Sequence, residues 1–88
     1  MKHTLECLTN GGNQRNKRCV LPFIYKHYYN EHNTTYMKYD RCTKRDSNVN
    51  WCYTEVDSNG VGVLGKWGNC GTGCPMGKWA FIKIFLLQ

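Results

Sequence analysis

This chain of 88 residues predicts a small, disulfide-rich domain of mostly β and irregular structure. Three observations carry that expectation. Six cysteines in so short a chain read as an even set of bridges formed in an oxidising compartment. Only 41% of the residues are hydrophobic, a thin supply for a free-standing core, and small domains of this make-up need covalent staples. Between Trp51 and Cys74 lies a stretch, WCYTEVDSNGVGVLGKWGNCGTGC, that reads as a β-hairpin with a cysteine at each end.

Within that stretch Tyr53, Thr54 and Val56 favour extended backbone, and Asn59-Gly60 is the pair a two-residue hairpin turn prefers, both residues at positive φ. Val61 and Val63 begin a return strand reaching Trp67, so Trp51 and Trp67 stand at the open end beside Cys52 and Cys70. A lone hairpin is marginal in water, and the cysteines suggest how this one is held.

From the N-terminus, residues 1–18 form a polar segment carrying one flanking cysteine, 19–75 the main module and 76–88 an apolar tail. The opening MKHTLECLTNGG has no apolar core of a secretory leader, and the chain is expected to be a fragment of a longer secreted protein. Cys7 to Cys19 is rich in Gly and Asn and is expected to lack regular structure. CVLPFIY is an apolar burst with Pro22 inside, hence an edge strand or extended segment in which Phe23 and Tyr25 share a face. Residues 26–38 show no clean period and are expected to form a mobile surface loop. It carries the sequon Asn33-Thr34-Thr35, a glycosylation site in a secreted chain. The tail GKWAFIKIFLLQ is too apolar for so small a module to bury whole, and contact with a membrane or a partner is one use for it.

Five blocks in order, Cys19-x-x-Pro22-Phe23-x-Tyr25, Tyr39-x-x-Cys42-Thr43, Trp51-Cys52-x-Thr54, Asp57 and Trp67-Gly68-x-Cys70, resemble the fibronectin type II module, a relative of the kringle. The resemblance implies two short antiparallel sheets around an aromatic cluster, with bridges Cys19–Cys52 and Cys42–Cys70. Cys7 and Cys74 then form a flanking pair, as in invertebrate versions of the module. Two departures stand out: Ser58 and Asn69 occupy positions where the family usually has aromatic residues that line its ligand cleft. The segments between Tyr25 and Tyr39 and between Asp57 and Trp67 are also longer than usual.

The residue chemistry argues against catalysis. A cysteine nucleophile needs a free thiol, and pairing uses all six. Zinc sites show two close ligand pairs, whereas only Cys70-x-x-x-Cys74 is close here, so disulfides are preferred and no cofactor or metal is expected. Asp57-Ser58-Asn59-Gly60 resembles part of a calcium loop without its later Glu, and the turn reading is stronger. A net charge of +6 suits polyanions such as sulfated glycans, although ordinary solvated charge explains it too. Nucleic acid is not expected as a partner of a disulfide-rich extracellular chain. The expected function is a secreted, non-catalytic binding module for a matrix protein or glycan. Its cleft would be formed by Phe23, Tyr25, Tyr39, Trp51 and Trp67, with Lys44 and Arg45 at its rim. The alternatives are that all five aromatics make up the core, that the chain is a small membrane-active effector, or that it is an accessory module of a larger serine protease.

Overall fold

The computed structural model describes residues 6–77. Among the described residues five strands form two antiparallel sheets, and there is no helix. Strands β1 (Thr9–Gly11), β5 (Trp67–Cys70) and β4 (Trp51–Tyr53) lie in that order in one sheet. Strands β2 (Phe23–Asn30) and β3 (Asn33–Tyr39) form the other. The tail from Lys78 onward, where membrane contact was expected, lies outside the described residues.

Three disulfides staple the chain: Cys7–Cys74 joins the segments flanking β1 and β5 of one sheet, and Cys19–Cys52 and Cys42–Cys70 tie the chain on either side of the β2–β3 hairpin to β4 and β5. These are the pairs implied by the family resemblance. The core is unusual in composition. Its buried hydrophobic members are the six cysteines, Phe23, Trp51 and Tyr53, so sulfur and aromatic rings do the work that aliphatic side chains do in larger domains. The bridges stack on one another. Cys7 Sγ lies 3.8 Å from Cys42 Sγ, and Cys19 Sγ lies 3.8 Å from Cys70 Sγ.

Register explains the arrangement of the three-stranded sheet. Trp51 pairs with Asn69, Cys52 with Gly68 and Tyr53 with Trp67. Direct partners share a face and residues two apart share a face. Trp51, Tyr53 and Trp67 therefore lie on one face, with Cys52 and Cys70 on the other. The two tryptophans are not opposite each other as the simple hairpin reading expects, because Tyr53 takes the place across from Trp67. The turn differs as well. Gly60 takes positive φ (87°) and Asn59 does not. The Gly60 N–H donates to the Asp57 carbonyl at 2.9 Å, and the Asp57 N–H donates to the Val61 carbonyl at 2.8 Å. The connection is thus a three-residue loop closed by a left-handed glycine. The Asp57 carboxylate stabilises it by accepting from Asn59 N–H and Val61 N–H at 2.8 and 3.0 Å.

Two segments expected to be irregular are ordered. Residues 26–38 lie in a long hairpin in which Phe23 pairs with Tyr39, Tyr25 with Met37 and His27 with Thr35. The period of two is hidden in the sequence because tyrosine serves both faces. Tyr25 and Tyr39 pack against the core, whereas Tyr28 and Tyr36 are exposed. The Cys7–Cys19 segment contributes β1, which pairs with β5 through Thr9↔Cys70 and Gly11↔Asn69. Thr9 anchors it. Its side chain is almost fully buried, its N–H donates to the Lys17 carbonyl at 2.8 Å, and its hydroxyl accepts the Lys17 N–H at 2.9 Å. A polar, Gly-rich text gave no sign of this, because β1 is stabilised by backbone pairing and by one satisfied threonine, not by apolar alternation.

Candidate aromatic groove

The aromatic face of the three-stranded sheet packs against the inner face of the β2–β3 hairpin. Phe23 is at the centre, 1% exposed, with ring centroids 5.7 Å from Tyr39, 5.4 Å from Trp51 and 5.3 Å from Tyr53. Tyr25 stands edge-on to Trp51 at 5.3 Å, and Trp51 is edge-on to Tyr53 at 5.1 Å. Such tilted and T-shaped pairs add about 0.5–1.5 kcal/mol each beyond area burial.

Above this cluster opens a groove of about 290 Å³. Tyr25, Trp51, Tyr53 and Trp67 form its walls, Arg45 and Asp46 its polar rim, and Leu64 its outer lip. Leu64 is 94% exposed, a large apolar side chain open to solvent at the edge of the groove. Two glycines seat the rings. A Cβ at Gly62 would come within 2.2 Å of Tyr53 Cδ2, and one at Gly12, itself at φ +80°, within 2.7 Å of Trp67 Cζ3. Trp67 rests on the Gly12 backbone and Tyr53 on Gly62, and no larger residue fits beneath either ring.

The residues expected to form one cleft are divided between places. Tyr25, Trp51 and Trp67 line the groove, with Arg45 at its rim. Phe23 lies beneath as core. Tyr39 and Lys44 line a second concavity of about 300 Å³, together with Lys38, Arg41 and Asn50. Asn33 is exposed at the start of β3, the position a glycan would need. Sequence reasoning missed Tyr53, Leu64 and Asp46 as groove residues. Tyr53 was open to discovery, since it lies two residues from Trp51 and so shares its strand face. Asp46 gave no signal, because its partners are remote in sequence.

Asp46 ties the hairpin to the groove rim. Its Oδ2 accepts the Tyr25 hydroxyl at 2.7 Å and lies 3.0 Å from His27 Nδ1, and its Oδ1 is 4.0 Å from Arg45 Nε. The loop is also fixed from below, where Trp51 Nε1–H donates to the Arg45 carbonyl at 2.8 Å. The Tyr25 hydrogen bond, with His27 and Arg45 nearby, holds the Asp46 carboxyl below its ordinary range. Burial, then the hydrogen bond to and negative charge of Asp46, push Tyr25 up to about 12. Burial also raises Tyr53.

The two directions act at opposite ends of the pH scale. A tyrosine whose folded pKa is raised contributes stability that is complete below its unfolded pKa and is lost as pH rises through the folded value near 12. Asp46, shifted down, contributes stability above the ordinary carboxylate range that is lost as pH falls through its folded value. Asp46→Asn is expected to lower the Tyr25 pKa without restoring the ordinary value, because burial remains. Ultraviolet difference titration of the tyrosines, with Tyr25→Phe to assign the component, measures it. An unchanged high-pH component in Asp46→Asn would dissociate the pair.

The five sulfurs of Cys7, Cys19, Cys42, Cys70 and Cys74 all lie within 4.8 Å of one another, a spacing a metal centre could use, but each is spent in a disulfide. Comparison with protein-family models, curated proteins and solved structures finds no match. Fold and site together define a disulfide-stapled β domain that presents an aromatic groove.

Proposed function

We propose that this chain is a secreted, non-catalytic binding module, of the fibronectin type II and kringle-like kind, that recognises a matrix protein or glycan through the aromatic groove. The observation that carries this reading is the groove itself: Tyr25, Trp51, Tyr53 and Trp67 converge on open space beside the exposed Leu64. The partly exposed rings of Tyr25 and Trp67, backed by the buried Trp51 and Tyr53, suit an apolar side chain, a sugar ring or a desolvated cation. The disulfide framework supports an extracellular setting.

Titration of the folded chain with gelatin, heparin and phosphocholine, followed by tryptophan fluorescence, tests the proposal. A groove ligand is expected to change the emission. Trp67→Ala should weaken its binding by about 2 kcal/mol, roughly thirtyfold, as central aromatic residues of binding sites do. Leu64→Ser should weaken it without touching the fold, since Leu64 is 94% exposed. Binding that survives both substitutions unchanged would rule out the groove.

A further inference from the structure

The second concavity and the outer face of the β2–β3 hairpin meet at Lys38, and their chemistry differs from that of the groove. The concavity is lined by Lys38, Arg41 and Lys44, with Asn50 in its wall. Its one carboxylate, Asp40, is occupied by Arg41, whose Nε lies 3.1 Å from Asp40 Oδ1. Lys38 also belongs to the hairpin. The register places Lys38 across from Ile24, Lys26 across from Tyr36 and Tyr28 across from Thr34. These six residues share the face turned away from Phe23 and Tyr25, and none of them is acidic. Tyr28 and Tyr36 are 63% and 60% exposed, and Lys26 and Lys38 are exposed beside them. Among the described residues Lys26, Lys38 and Lys44 enter no ion pair.

We propose that this surface binds a sulfated glycan, with sulfate groups held by Lys38 and Lys44 in the concavity and the chain continuing over Tyr36 toward Lys26. Charge complementarity names the partner as a polyanion, since free ammonium groups line a concave site on a chain of net charge +6. The flat ribbon of tyrosines names its other property. An extended ligand with ring faces to lay on Tyr36 and Tyr28 fits better than an isolated anion. Single-stranded nucleic acid also has charges and rings, but the oxidising compartment implied by three disulfides selects the glycan. The surface shares no lysine with the aromatic groove, so its failure leaves the groove reading intact.

The experiment compares two charge-matched double substitutions by calorimetric titration with a short heparin oligosaccharide, all disulfides intact. Lys38→Gln with Lys44→Gln removes two charges from the surface. Arg15→Gln with Lys17→Gln removes two exposed charges from the Cys7–Cys19 segment. The first pair is expected to weaken binding by roughly tenfold or more, the loss of two charge-assisted contacts, and the second by much less. Tyr36→Ser should weaken binding further while leaving its salt dependence unchanged, because it removes stacking and no charge. Equal losses from the two double substitutions, or no heparin binding at low salt, would overturn the proposal. So would a single-stranded oligonucleotide that binds as tightly as heparin with the same dependence on Tyr36.

Discussion

A thiol reductant is expected to unfold this chain completely. The three bridges close segments with separations of 67, 33 and 28 residues. Each stabilises the fold by roughly 2–4 kcal/mol, chiefly by restricting the unfolded chain. Their sum is comparable to the whole stability of an ordinary domain, about 5–15 kcal/mol. Little else is available to replace them, because the cysteines make up most of the buried hydrophobic set. The loss should also be collective. Cys7 Sγ touches Cys42 Sγ and Cys19 Sγ touches Cys70 Sγ, each at 3.8 Å, so a thiolate released from one bridge lies against the next and can exchange with it. Circular dichroism and amide proton dispersion, with and without reductant, measure the outcome. A reduced and alkylated chain that keeps dispersed amide signals would show that the aromatic cluster alone sustains the fold. Non-reducing peptide mapping adds a separate check, because a Cys19–Cys42 bridge would contradict the pairing.

What the sequence makes legible here is whatever rests on residue type. Six cysteines announce the staples, and Phe23, Tyr25, Trp51 and Trp67 announce the aromatic cluster, because few other positions can fill the interior of so small a chain. What rests on register is hidden. Tyr28 and Tyr36 have the same side chain as Tyr25 and Tyr39 but stand on the opposite face of the hairpin, and only the pairing of Lys26 with Tyr36 separates them. Composition therefore made 26–38 look like an aperiodic loop. The division of the expected cleft has the same origin. Lys44 and Arg45 are neighbours in sequence, yet the chain turns between them so that one faces the basic concavity and the other the aromatic groove. The turn at Asp46, with φ of 59°, and its bonds to Tyr25 and His27 set that geometry across some twenty residues of chain, which no local pattern records.

Phe23→Ala is expected to cost about 3–5 kcal/mol with all disulfides intact. Among the described residues Phe23 is the largest side chain that is fully buried, at 1% exposure. It is also, among the described residues, the one ring in contact with Tyr39 of the hairpin and with both Trp51 and Tyr53 of the other sheet. Removing it leaves a cavity between the sheets whose collapse the bridges restrict, since Cys19, four residues before Phe23, is fixed to Cys52 of β4. The groove should suffer with the fold, because Trp51 and Tyr53 lose the support beneath them. Tyr28→Ala, on the same strand but 63% exposed, is expected to change stability by no more than about 0.5 kcal/mol. Equilibrium unfolding in urea under non-reducing conditions compares the two directly. A cost below about 1 kcal/mol for Phe23→Ala would mean that the bridges alone hold the sheets together, and that the aromatic cluster belongs to the binding surface rather than to the core.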